Sequence, residues 1–440
     1  MNILDLDSLD ILDTKLIEHG YVISAVNTIP PIACTHCEKI GVKLLKHGTK
    51  KQAFMDTPMH GKRVAIVLKR QRYKCQSCGE TFLEPLWGMD SSRMCTNRCV
   101  AYIEQQSLKR TFVQVADEIG VSEGTIRNIF RNYVERLEEE NKFVTPRWMG
   151  VDEIHLLGKP RGVITNIESC VMLDLLRERS KEFMVNYLKN LPEKERIEIV
   201  TMDMWNPYRL AVHEVLPLAA IVVDKFHVVK MANKAVDDIR KKLRSELSDQ
   251  ERKQLKNDKF TMLKRRNTLS PMQEVILESW LLNFPTLRQA YDIKENYFEV
   301  WDAPNEKEAR KRYKAWEKSI PSEMKFAFKD LITATHNWDQ EIFAYFTYHV
   351  TNAYTESVNS LIRSVHRMGR GYSFEAIRAK MLFSEGLHKM GRKSRRKLMF
   401  EHFAMQAPGV GEEVSEYEDG YWKLGVDIST LAQWLEEGKL

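Results

Sequence analysis

Two Cys-x2-Cys pairs, Cys34-Thr-His-Cys37 and Cys75-Gln-Ser-Cys78, constrain this chain more than any other feature. Four thiolates presented by two such knuckles close a tetrahedral zinc site. The stretch VAIVLKRQRY before the second knuckle alternates and is rich in β-formers, so it predicts the hairpin of a zinc ribbon. Disulfides are the competing use of these cysteines, and a reducing cytosol disfavours them. His36 inside the first knuckle reads as a bystander or a phosphate contact, since four cysteines already complete the site. Cys95 and Cys99 lie four apart at an expected helix start and read as small core residues rather than as a second metal site.

Behind the ribbon, TFVQVADEIGVSEGTIRNIFRNYV has the spacing and turn chemistry of a helix-turn-helix. Val113, Val115, Ala116 and Ile119 give the apolar face of a first helix, Gly120 allows the sharp turn, and Ser122 caps a second helix. That second helix would offer Ser122, Glu123, Thr125, Arg127 and Asn128 to a major groove. A plain structural hairpin has the same pattern, but the neighbouring basic ribbon favours DNA. Lys62 to Lys74 carries six basic residues and no acid, and Arg363 to Lys397 carries eleven against Glu375 and Glu385. Such blocks suit a phosphate backbone, although the net charge is only +6.

The chain of 440 residues is long enough for several cores. It has no run of about 18 apolar residues, and its acidic start is unlike a signal peptide, so a cytoplasmic protein without membrane contact is expected. After Pro146, WMGVDEIHLLG, GVITNIES and VMLDLLRER read as three strands. SKEFMVNYLKNLP, IEIVTMDMW, NPYRLAVHEVLP and AAIVVDKFHV continue as helix, strand, helix, strand. That order implies an α/β mixed sheet with helices on its faces, as in ribonuclease H-like domains. The text then turns helical and aromatic, with Trp280, Trp301, Trp316 and Trp338 read mainly as core. Expected boundaries are 1–30, an N-terminal helical segment; 31–90, the zinc ribbon; and 91–145, the helix-turn-helix. Next come 146–228, the first part of a catalytic core; 229–347, an all-helical insertion; 348–400, the core's final part; and 401–440, a tail.

Three acids could converge. Asp152 lies in the first strand of this core, Asp203 at the end of its fourth, and these strands are neighbours in a ribonuclease H-like sheet. Glu356 in NAYTESVNSLIR, on a helix capped by Thr351 or Asn352, is the best third candidate, and it leads to Arg363, His366, Arg367 and Arg370. Carboxylates drawn from separate elements are what a two-metal phosphoryl-transfer site requires. Asp152 and Glu153 alternate along one strand, so only one of them can face the site.

Taken in order, CTHC and CQSC, the helix-turn-helix, GVDEIHL, TMDMWNPY, VVDKFHVVK and TNAYTESVNSLIR resemble the DDE transposases of bacterial insertion sequences, specifically the ISL3 family. The resemblance implies a ribonuclease H-like core with Asp152, Asp203 and Glu356 holding two Mg2+ (or Mn2+) ions, plus one structural Zn2+. It implies cleavage and joining of double-stranded DNA at transposon terminal inverted repeats and at a target. A homodimer or larger synaptic assembly associated with the nucleoid is then expected. Asp224 and His227 match a D-x2-H motif that would contact a phosphate, the alternative being a capping Asp and a packed His. Arg363, Arg367 and Arg370 would contact DNA. The 153-residue gap from Asp203 to Glu356 departs from short-spaced relatives, and the helical insertion accounts for it. The rivals are a zinc-containing sequence-specific DNA-binding regulator and a ribonuclease H-like nuclease without strand transfer.

Overall fold

The computed structural model describes residues 4, 6–140, 144–243 and 247–386. The expected tail at 401–440 and the basic residues after 386 lie outside the described residues. The first sheet contains β1 (Leu9–Ile17), β2 (Gly20–Asn27), β3 (Leu44–Met59), β4 (Lys62–Cys75), β5 (Thr81–Leu83), β6 (Met89–Asp90) and β7 (Cys95–Thr96). Its order is β1-β2-β4-β3-β7-β6, with β5 on β4.

The expectation of a helical segment at 1–30 is overturned, because β1 and β2 form an antiparallel hairpin closed at Ile17↔Gly20. The physical cause is a period of two in β2, where Ile23 and Ala25 bury against Phe54, Val64, Ile66 and Leu68. Gly20 is fixed at φ 150 so close to the Arg63 carbonyl that any Cβ would collide, which a helix at this place could not accommodate.

Three helices follow: α1 (Asn97–Lys109), α2 (Phe112–Ile119) and α3 (Glu123–Glu140). Thr111 and Gln114 form a capping box on α2, and Gly120 closes it in the left-handed region at φ 87. Ser122 Oγ accepts from the Thr125 N–H at the start of α3. The buried face of α2 is Phe112, Val115, Ala116 and Ile119. Val113, expected on that face, is exposed, since Phe112 fills the inward position instead. Cys95 and Cys99 are buried within this core.

The second sheet holds β8 (Trp148–Leu156), β9 (Lys159–Asn166), β10 (Val171–Leu176), β11 (Ile199–Met202) and β12 (Ala220–Val223) in the order β10-β9-β8-β11-β12. The β8–β9–β10 meander is antiparallel, while β11 runs parallel to β8 and to β12. Between β10 and β12 lie α4 (Lys181–Lys189) and α5 (Asn206–Val215). The strand expected through AAIVVDKFHV ends at Val223, because Asp224 caps a helix, α6 (Lys225–Lys242), by accepting from the Phe226 N–H.

From α6 onward the described chain is helical: α7 (Asp249–Asn257), α8 (Lys259–Leu263), α9 (Pro271–Asn283), α10 (Pro285–Val300), α11 (Glu306–Ser319), α12 (Lys325–Asn337), α13 (Asp339–Phe343) and α14 (Tyr345–Tyr348). Trp280, Trp316 and Trp338 are buried in the core of this block, with indole N–H groups of Trp280 and Trp316 bonded to Asp258 and to the Ile293 carbonyl. They fill space, as buried tryptophans do. Two last helices, α15 (Ala353–Gly369) and α16 (Phe374–Met381), return to the second sheet.

One hydrophobic cluster joins α1, α2 and α3 to β8, β9, β10, α15 and α16. Lys380 of α16 is buried in it, donating to the Arg110 and Ser107 carbonyls, with its ammonium 4.8 Å from the Phe112 ring centre. Burial pulls its pKa down to about 7. Arg378 ties Asp174 of β10 to Glu138 of α3, at 2.7 Å each. No helix among the described residues is long and apolar enough to cross a membrane.

Candidate active site and nucleic-acid interface

The parallel register of β8 and β11 decides where the acids stand. Met202 pairs with Val151, so Asp152 and Asp203, each one residue further, leave neighbouring strands at the same level. Both line an open pocket of about 520 Å³ together with Glu153, Trp205, Tyr208, His227, Lys230 and Lys234. His227 reaches it from the first turn of α6, while Asp224, the N-cap of that helix, and Glu356, in the first turn of α15, stand beside His227 rather than in the pocket lining.

His227 Nδ1 lies 3.0 Å from Asp203 Oδ1, yet both atoms are buried without a well-aligned hydrogen bond. Ligand atoms of Asp224, His227 and Glu356 all fall within 4.8 Å of one another. That trio, rather than the expected Asp152, Asp203 and Glu356, is the tightest carboxylate and imidazole group among the described residues. Asp152 and Asp203 adjoin it through electrostatic contact. Burial, then the Asp203 charge, pushes the Asp152 carboxyl up to about 7. Burial first, with Asp224 next, also raises Glu356, and burial raises Asp224. His227 is raised chiefly by its contact with Asp203. Four acids packed against one imidazole and the nearby Lys230 amount to a local excess of negative charge, which a hard divalent cation would relieve.

The helix carrying Glu356 is seated by contacts that sequence reading missed. Neither Thr351 nor Asn352 caps α15 through a side chain. Asn352 instead accepts from Thr201 Oγ1 at 3.1 Å and donates to the Val151 carbonyl at 3.2 Å. Thr355 meets Thr165 at 2.7 Å, and Asn359 donates to Asp152 Oδ2 at 2.7 Å. All three are buried. Gly150 makes this approach possible, since a Cβ there would run into Thr165, Thr355 and Ile167. A polar stripe at 352, 355, 356 and 359, the i, i+3, i+4, i+7 spacing of one helix face, was the available signal. Glu153, expected to face away from the site, lines the same pocket as Asp152, where it pairs with Arg179, whose guanidinium lies over the Trp205 ring.

At the front, Cys34 and Cys78 sulfurs lie 3.7 Å apart and Cys37 and Cys75 sulfurs 3.9 Å apart. All four cysteines form one group, and their separations match the roughly 3.8 Å between thiolates held about 2.3 Å from a tetrahedral zinc. Ser122, Thr125 and Asn128 border a cleft shared with Ala53, Met55 and Arg93. Arg127 lies elsewhere: it is paired with Glu123 at 2.6 Å and lines a second cleft with Arg367 and Arg370. Arg363 is exposed on α15, two turns beyond Glu356.

The family model for transposases of the DDE type, ISL3 group, matches residues 149–381, over half of the chain. The chain belongs to the ISL3 transposase family. In this ISL3 transposase, residues 30–78 match the zinc finger of the transposases of IS204, IS1001, IS1096 and IS1165. Residues 89–134 match the helix-turn-helix domain of the ISL3 family, so the ISL3 transposase carries a DNA-binding front and a structural zinc site. The transposase for insertion sequence element IS1001 of Bordetella parapertussis is 24% identical over 345 residues, spanning 76% of this chain and 85% of that protein.

Proposed function

We propose that this transposase cuts and joins DNA at the terminal inverted repeats of its element, using Asp152, Asp203 and Glu356 as the metal-binding carboxylates. The β8–β11 register, which sets Asp152 and Asp203 side by side, carries the proposal. Residues 146–228 and 348–400 would be a ribonuclease H-like core interrupted by the helical block at 229–347, a reading supported by the β10-β9-β8-β11-β12 order. The buried Asp203 oxygen that lacks an aligned donor and the all-oxygen character of the carboxylates fit Mg2+ or Mn2+. Two such ions, when bound, supply an activated hydroxyl and stabilise the leaving oxygen.

The chain's own groups do the rest. Asp203 and Asp224 hold His227 at the pocket, where its ring can donate to a phosphate oxygen. Lys230 in the pocket, the exposed Arg363, and Arg367 and Arg370 in the neighbouring cleft with Arg127 would add positive charge for the flanking backbone. Ser122, Thr125 and Asn128 would read base edges, with Arg127 released from Glu123 to join them. Two ends must be held at once, so a dimer or larger assembly is part of the reading.

Purified protein with Mg2+ and labelled end DNA tests it. Asp152→Asn, Asp203→Asn and Glu356→Gln should each abolish cleavage while leaving end binding intact, and Glu153→Gln should be far milder. Parent-like cleavage by all three variants would refute the assignment. End binding without cleavage by the parent would indicate a regulator, and cleavage without joined product a nuclease.

A further inference from the structure

The helix-turn-helix has a neighbour that its own residues do not explain. On the face of β3 and β4 turned toward the helices, the cross-strand pairs run Met55↔Ala65, Ala53↔Val67, Lys51↔Lys69 and Thr49↔Gln71. Directly opposed residues of an antiparallel pair project from the same face. Met55 packs against the core of α1, α2 and α3, and Ala53 borders the cleft that holds Ser122, Thr125 and Asn128. One pleat repeat onward, about 7 Å along the strand, stand Lys51 and Lys69, both exposed.

Two ammonium groups directly opposed on a ladder repel and weaken it. Neither lysine meets a carboxylate in an ion pair among the described residues. Lysine on an edge strand guards against stray pairing, and that suffices for Lys51, since β3 pairs beyond β4 only through Met55↔Cys95. At Lys69 β4 likewise has no ladder partner beyond β3, since its β2 pairs end at Ala25↔Leu68 and its β5 pairs begin at Arg72↔Leu83, so edge guarding accounts for a lysine on either strand but not for setting the two directly opposite each other. A ligand with spaced negative charge, seated over both side chains, would turn the repulsion into attraction.

We infer that Lys51 and Lys69 form a phosphate clamp for the same duplex that α3 reads. The inference rests on the helix-turn-helix being the DNA reader. Ser122, Thr125 and Asn128 open toward the strands on the side where the clamp stands, so a duplex in contact with them passes over the paired lysines. Phosphate contacts of this kind fix the protein's register on the duplex and carry no sequence information.

The full zinc-loaded chain is titrated, by fluorescence anisotropy over a salt series, against a duplex carrying the element's terminal sequence and against a scrambled duplex. Each lost phosphate contact lowers the slope of log affinity against log salt by about 0.9, so Lys51→Gln with Lys69→Gln should lower it by about 1.8 on both duplexes. The ratio of the two affinities should stay at the parent value. Lys51→Arg with Lys69→Arg should restore the slope, and Lys15→Gln on β1 should leave it unchanged. The thermal midpoint of the double glutamine variant should equal or exceed the parent's, because a repulsion is removed. An unchanged slope overturns the clamp, and a lowered midpoint overturns the argument from repulsion. Failure of the reader looks different: the parent would not discriminate the duplexes and Asn128→Ala would change nothing, while the slope would still judge the lysines.

Discussion

Asn359 Nδ2 donates to Asp152 Oδ2 over 2.7 Å, so the helix that carries Glu356 grips the strand that carries the first acid. Asp152 Oδ1 meanwhile takes the backbone N–H of Glu153 at 2.6 Å. The carboxylate is therefore aimed before any substrate arrives. Groups that orient a ligating carboxylate are typically worth about 10- to 100-fold in activity. Asn359→Ala should lower the rate of end cleavage by that factor with end binding unchanged, measured on labelled end DNA.

Gly150 is the second point of the same lock. A methyl group there would meet Thr165 and Thr355 side chains closer than Cβ atoms come to such neighbours. Either α15 moves outward or the side chains leave their buried hydrogen bond. Gly150→Ala should cost about 1–3 kcal/mol in denaturant unfolding, as over-packing does, and should depress cleavage beyond what the lost stability explains. Parent-like values for both would show that the helix has room to spare.

The four cysteines bear a separate prediction. The end of the β3–β4 hairpin is held by a small cluster of Cys34, Tyr73, Cys75 and Phe82, too few side chains to fold without a cross-link. One zinc per chain should be found by elemental analysis, and Cys75→Ser should lose it. Chelation should weaken binding to end DNA and leave the melting of the second sheet in place. A chain that retained full affinity without zinc would show that the ribbon has no part in DNA binding.

Lys380 gives a pH dependence. Its pKa falls to about 7 in the folded chain because burial disfavours the charged ammonium. The unfolded chain keeps the usual value of about 10.5, so between these limits it binds more protons than the folded one. Stability from this group therefore rises as pH increases from about 7 toward 10.5 and is flat below 7. The unfolding free energy of the parent should climb relative to that of Lys380→Met across this window, by an amount on the order of a few kcal/mol. Parallel curves for the two proteins would mean that the buried ammonium is not desolvated.

Local chemistry was legible in the sequence and long-range docking was not. The knuckles at Cys34 and Cys75, the Gly120 turn and the apolar runs of β8 and β11 declare themselves within a few residues, and the placement of Asp152 beside Asp203 followed from strand order. The hairpin at Leu9–Asn27 escaped because β1 exposes Leu12, Leu16 and Ile17, which blurs the alternation. Val113 and Phe112 could exchange places in a short helix without changing its composition, and only tertiary packing chose between them. Asn352, Thr355 and Asn359 are ordinary polar letters until α15 meets Gly150 across some 200 residues of chain. The tight grouping of Asp224, His227 and Glu356 depends on the same closure: the D-x2-H spacing marks its first two members, and nothing local marks that Glu356 joins them.

The cluster that joins α1, α2 and α3 to the second sheet has a further consequence. With Lys380 and Arg378 bridging the same boundary, the helix-turn-helix and the sheet that carries the candidate acids are packed against each other as one body. On the proposed function the protein would behave as a ruler, with the bond it breaks chosen by counting base pairs from the recognised sequence. Extra base pairs between that sequence and the element's tip would rotate the true terminus out of reach and bring a different phosphate to the acids.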